Sequence, residues 1–146
     1  MPSYEASVSI AASRDSVWRV LAAVAAWSTW LPTVTSVEPL DSQALGSGAR
    51  YKIIQPKLRP ATWTVTDLAP PNRFAWESRS PGVLVVADHV IEEPSPGNSH
   101  VVLRVSFSGL LAPLVGRLTR SVTERYLAQE AAALKVQVEG RNTNVA

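Results

Sequence analysis

Between residues 34 and 108, apolar and polar side chains alternate in six short runs: TSVEPLD, RYKIIQ, ATWTVTDL, RFAWES, VLVVADHVIEE and HVVLRVSF. Stretches rich in Gly, Pro, Asn or Ser separate them. Period-two alternation predicts strands with one face buried. Connections this short join neighbouring antiparallel strands, so the runs form a meander. The prolines at 70, 71, 81, 94 and 96 are all expected in the turns, because proline cannot donate to a β-ladder. Upstream, Tyr4, Ala6, Val8 and Ile10 alternate with Glu5, Ser7 and Ser9, which predicts a further half-buried strand. Ser13 then offers an N-cap to SRDSVWRVLAAV, where Val17, Trp18 and Leu21 share a helical stripe. A second short helix over AAWSTWLP ends at Pro32.

At residue 110 the period changes to that of a helix, with Pro113 in its first turn and Gly140 as its stop. Such a helix of roughly 27 residues is about 40 Å long. Leu111, Leu114, Val115, Leu118 and Val122 fall on one face of its wheel. Leu127, Leu134 and Val138 fall on roughly the opposite face, so its two halves pack against different surfaces or the helix bends. The expected fold is α+β: a curved antiparallel sheet of about six to seven strands wrapped around a long C-terminal helix, with two short helices after the first strand. One domain is expected over residues 1–140, with 141–146 as a flexible tail, since no linker or repeat divides the chain.

Composition removes several function classes. The 146 residues are 46% hydrophobic and 18% charged, which is globular, and the net charge of +2 is spread without a basic run. Nucleic acid is therefore not an expected partner. The absence of cysteine excludes disulfides, thiol catalysis and thiolate metal sites. The two histidines, eleven residues apart, lack metal-ligand spacing, so neither a metal nor another cofactor is expected. MPSYEASVSI lacks the pattern of a signal peptide, and VLAAVAAW is far shorter than the ~20 residues that span a bilayer. The expectation is a cytoplasmic monomer or homodimer without integral membrane association. GSGA at 46–49 is a hairpin turn, because no helix follows to make it a phosphate cradle.

In this order the elements resemble the START-like superfamily (SRPBCC), which includes polyketide cyclases and dehydratases, aromatase/cyclases and lipid-transfer domains. The resemblance covers nearly the whole chain. It is carried by SIAASRDSVWRVLA as the opening strand and helix, WSTWLPTVTSVE as the Trp-x-x-Trp-x-Pro segment, TWTVTDLAPPNRFAWES as paired central strands, and GLLAPLVGRLTR as the start of the last helix. It implies a helix-grip fold with an internal apolar cavity. It implies no catalytic residue, because the superfamily shares a cavity and differs in what fills it.

Alternation alone assigns the cavity face. Tyr51, Ile53 and Gln55 lie opposite Arg50 and Lys52, and Trp63 and Val65 lie opposite three threonines. Phe74, Trp76 and Ser78 lie opposite Arg73, Glu77 and Arg79. Val85, Ala87 and His89 lie opposite Asp88 and Glu92, and Leu103 and Phe107 share their strand's apolar side. An even loop at Ser80-Pro81-Gly82 pairs Ser78 with Val83 or Val85, and Phe74 with Ala87 or His89, which keeps this face continuous. Trp30 and the helical Leu114, Leu118, Val122 and Arg125 complete the expected ligand-binding set, with Gln129 beside Arg125 at the mouth. Apolar walls carrying Gln55, Ser78 and His89 suit a small hydrophobic ligand.

Three roles are open to His89: a hydrogen-bonded core histidine, a ligand contact, or a general acid–base. The last needs an orienting carboxylate. Asp88 and Glu92 face away, while Glu93 sits at the strand end. His100 is expected at a turn. The leading function is binding of a lipid, polyketide or aromatic compound with no assigned reaction. The alternatives are a polyketide cyclase/dehydratase-like enzyme using His89, and a module that binds a protein through its surface.

Overall fold

The computed structural model describes residues 2–41 and 44–144, the last four of these by backbone alone. Seven strands form one antiparallel sheet: β1 (Ser3–Ile10), β2 (Ser36–Pro39), β3 (Arg50–Ile54), β4 (Ala61–Ala69), β5 (Arg73–Ser80), β6 (Val83–Ser95) and β7 (Asn98–Ser108). Their spatial order is β1-β7-β6-β5-β4-β3-β2. The strands from β2 to β7 are thus the expected meander, and β1 closes the sheet by pairing with the last of them.

The register confirms the parity argument at the hairpin. Phe74 pairs with His89, Trp76 with Ala87, and Ser78 with Val85. Ser80 pairs with Val83 across a Pro81-Gly82 turn in which Gly82 holds φ 81°, a conformation that favours a residue without Cβ. One bulge lies in β4 between Val65 and Asp67. It shifts the alternation by one residue, so that Leu68 pairs with Phe74 and Asp67 stays outside. Pro94 lies inside β6, beside a register irregularity between Glu92 and Ser95, and not in the turn. His100 lies within β7, paired with Ser9 and Glu92, and not at a turn.

Helix α1 (Arg14–Ala22) is capped by Ser13, whose hydroxyl accepts from the Ser16 amide at 3.2 Å. It buries Val17, Val20 and Leu21. A 3₁₀ turn, Val24–Thr29, follows and buries Trp27, whose indole N–H donates to the Leu21 carbonyl at 3.0 Å. That bond removes the usual cost of burying an indole N–H.

The C-terminal helix is two helices, α2 (Ala112–Leu118) and α3 (Arg120–Asn144), separated at Thr119. The apolar face moves around the wheel because its first part is not core: Leu114 and Leu118 are exposed, while Leu127, Leu134 and Val138 are buried. Gly140 does not stop the helix, which runs through Asn144. Residues 141–144 of the expected tail are therefore helical, and 145–146 lie outside the described residues. Leu127, Ala131, Leu134 and Val138 form the buried stripe of α3, which packs on β1, β7 and α1. Among the described residues, no helix is long and apolar enough to cross a membrane.

Candidate functional site

A cavity of about 390 Å³ lies between the concave face of the sheet and the first half of α3. The sheet contributes Ile53, Trp63, Trp76, Ser78, Val85, Ala87, His89, Leu103 and Phe107, Gln55 follows directly after β3, and the helix contributes Val122. The strand alternation therefore brings these residues to one space. Four other expected residues are not on the cavity wall: three lie in the packed core, and the half-buried Trp30 packs against it. Phe74 is sealed by His89, stacked on it at 4.1 Å and 10°, by Trp18 in an edge-on contact, and by the tilted ring of Trp27. Tyr51 and Val65 are fully buried around Trp76, to which Val65 is paired. Trp30 packs its edge on Trp27. Leu114, Leu118 and Arg125 are exposed on the outer surface, as is Gln129.

The expected helix face lies beside the real one: Leu114, Leu118 and Arg125 flank the cavity stripe, which runs through Val115, Thr119, Val122, Tyr126 and Glu130. On α3 the cavity residues are Val122, Thr123, Tyr126, Leu127 and Glu130. Steps of four residues from Val122 give Tyr126 and Glu130 directly. Tyr126 donates its hydroxyl to the Pro56 carbonyl and ties α3 to the β3–β4 loop. From that loop Leu58 and Arg59 also border the cavity. Trp27 is buried, yet its ring borders the cavity and lies 5.3 Å from Trp76 and 6.0 Å from His89.

Two titratable groups share this apolar space. His89 is 4% exposed, and its Nδ1 lies 3.1 Å from the Phe74 carbonyl. A carbonyl only accepts, so Nδ1 carries the proton and Nε2 keeps its lone pair. Burial lowers the His89 pKa to about 4, against weaker opposing effects of the Phe74 carbonyl and the Asp88 charge. The imidazole is therefore neutral at pH 7. Neither nearby acidic side chain orients it. Asp88 is held on the outer face by Arg73 at 2.8 Å, and Glu93 accepts from the Arg14 and Gly97 amides. Glu130 is the group the sequence reading missed. Burial raises its pKa to about 7, partly offset by the Thr33 hydroxyl, which donates to it at 3.4 Å. Among the described residues no cation pairs with it. No cluster of three His, Asp or Glu side chains there could hold a metal ion.

The family model for polyketide cyclase/dehydrase and lipid transport matches residues 1–139. The chain belongs to that family. Among solved structures, the Zhui aromatase/cyclase from Streptomyces sp. R1128 is 23% identical with a TM-score of 0.78, covering 96% of this chain and 94% of its own. A Thermobifida fusca protein solved by NMR is 19% identical with a TM-score of 0.79, covering 97% of this chain and 95% of its own. The di-domain aromatase/cyclase BexL is 20% identical with a TM-score of 0.70, and the match spans 93% of this chain but 47% of that one. No curated protein matches the chain in sequence. At these identities the likeness establishes the helix-grip fold of the polyketide cyclase/dehydrase family. The polar groups on the cavity wall are read from this chain alone.

The two cavity groups set opposite pH dependences. Unfolding lets His89 take up a proton below about pH 6.5, whereas the fold keeps it neutral down to about 4. Its contribution to stability is thus full above pH 6.5 and is lost as pH falls through that window. The fold keeps Glu130 protonated up to about pH 7, whereas the unfolded chain ionises it above 4.5. Its contribution is full below pH 4.5 and is lost as pH rises. Between about pH 4.5 and 6.5 the two dependences therefore run in opposite directions and largely offset each other. Urea unfolding across that range should give a shallow profile for the natural chain. Glu130→Gln should leave stability rising with pH, and His89→Gln should leave it falling. Parallel profiles for all three proteins would contradict the assignment.

Proposed function

We propose that the cavity binds a small, largely apolar, ring-containing molecule. The observation that carries this reading is the cavity itself: space for a compact ligand, bordered by the rings of Trp27, Trp63 and Trp76 and by few polar groups. Apolar walls supply affinity through burial, and a few polar atoms fix orientation. Around this space Nε2 of neutral His89 is an acceptor, while the Ser78 hydroxyl and the Gln55 amide can donate or accept. Protonated Glu130 can donate. A ring system bearing a carbonyl or phenol would satisfy them without burying a net charge. Family membership and the aromatase/cyclase neighbours are consistent with this ligand class.

Ala87 borders the cavity and pairs with Trp76 across the strands, so a larger side chain there occupies ligand space. Titration with 2-naphthol, followed by tryptophan fluorescence, should show saturable binding. Ala87→Phe should weaken it at least about tenfold, the loss of one well-filled apolar contact. Equal binding by both proteins, or none by either, would contradict the reading.

Glu130 favours a second reading, in which the bound molecule also reacts. A carboxylic acid with a pKa near neutrality inside an apolar cavity is suited to protonating a carbonyl or a departing hydroxyl, and the lone pair of His89 Nε2 can take a proton from carbon or oxygen. In this form the His89 acid–base mechanism acquires the proton donor that His89 itself, neutral at pH 7, does not supply. Glu130→Gln should then lower turnover of a poly-β-ketone thioester about 10²-fold or more while leaving its binding intact. Unchanged turnover would end the catalytic reading and leave the binding one standing.

A further inference from the structure

The short helix α2 is apolar on both sides. Its inner side is used by the fold: Ala112 and Gly116 are buried, Tyr4 donates its hydroxyl to the Gly116 carbonyl at 2.9 Å, and Val115 borders the cavity. Its outer side carries Leu114 at 56% and Leu118 at 75% exposure, preceded by Leu110 at 95% and by Leu111, also exposed. Four largely exposed leucines on one short segment contribute little to the core, and such patches mark interaction surfaces.

The surroundings of this stripe select the partner. Leu118 borders a shallow surface depression shared with Arg117, Arg120 and Arg125. Glu124 in the same depression is engaged by Arg120 at 2.9 Å, and Arg117 and Arg125 make no ion pair among the described residues. The sequence holds no Asp or Glu from residue 94 to 123. A second copy of the chain would bring the same arginines against themselves in a two-fold contact. A surface of negatively charged headgroups over hydrocarbon complements both the leucines and the cations.

We propose that the outer face of α2, with the arginines beside it, docks the protein reversibly on an anionic lipid bilayer. The leucines enter the headgroup boundary and Arg117 and Arg125 contact phosphates. The same helix walls the cavity with Val115, so docking brings a cavity wall to the lipid surface. The docking surface stands whatever the cavity holds, and its test is separate from the naphthol titration.

Co-sedimentation with vesicles of phosphatidylcholine containing one third phosphatidylglycerol tests it. The full chain should bind these vesicles, bind pure phosphatidylcholine about tenfold or more weakly, and be released by high salt. Leu114→Ser/Leu118→Ser should lose binding at least about tenfold with an unchanged circular dichroism spectrum and melting temperature, because both side chains are exposed. Arg117→Gln/Arg125→Gln should abolish the preference for the anionic vesicles. No binding by the natural chain, or equal binding by the leucine variant, would overturn the proposal. So would a dimer in sedimentation velocity that the leucine variant dissociates in the absence of vesicle binding, which would assign the stripe to a second copy.

Discussion

One helix cannot fill the concave side of a seven-stranded sheet, and the rest of this structure follows from where α3 makes its contact. One face of α3, through Leu127, Ala131, Leu134 and Val138, is buried against β1, β7 and α1. That contact anchors the helix along one edge of the sheet. The first half then spans the open face with Val122, Thr123, Tyr126 and Glu130, and the space beneath it stays unfilled. Trp27, on the 3₁₀ turn, borders the cavity and packs on Phe74, Trp76 and His89. Tyr126 holds the opposite rim through Pro56. The cavity is thus a consequence of unequal packing along one helix.

What that space does to its polar residents is equally dictated by burial. An imidazole and a carboxyl in an apolar wall both avoid charge, so His89 stays unprotonated and Glu130 stays protonated toward neutral pH. The result is a cavity with an acceptor and a donor but little net charge. Neutral ligands with a polar edge suit it better than anions or cations. Outside the cavity the electrostatics are ordinary: Arg73 with Asp88, Arg104 with Glu5, and Arg50 with Asp41 pair across the exposed side of the sheet or its edge. The leucine stripe of α2 is the exception on that surface.

Most of the sheet was legible in the sequence because strand parity is a two-way choice that charges decide. Arg50, Lys52, Arg73, Glu77 and Asp88 each had to face water, and their neighbours fell on the other side. Parity did not separate the cavity wall from the layer packed behind it. Phe74, Tyr51 and Val65 have the right face but are covered by larger neighbours on the same or adjacent strands, Trp76 and His89, and by Trp27 from the distant 3₁₀ turn. The helix was harder. The cavity stripe Val115, Thr119, Val122, Tyr126 and Glu130 keeps its helical spacing through Thr119, but the more apolar Leu111, Leu114 and Leu118 beside it mark the wrong face. The error carried Leu114, Leu118 and Arg125 inward and left Glu130 out. Exposed leucines on a helix read as core by pattern alone, and only the coordinates show that they face water.

The central claim is that the space between the sheet and α3 takes up an apolar ring. Crystals grown with 2-bromonaphthalene test it most directly, through the anomalous signal of bromine. The expected result is one strong peak between Trp76, Ala87 and the Val122–Tyr126 turn of α3. A cavity found filled by the protein's own side chains, with bromine absent or scattered over the surface, would contradict it.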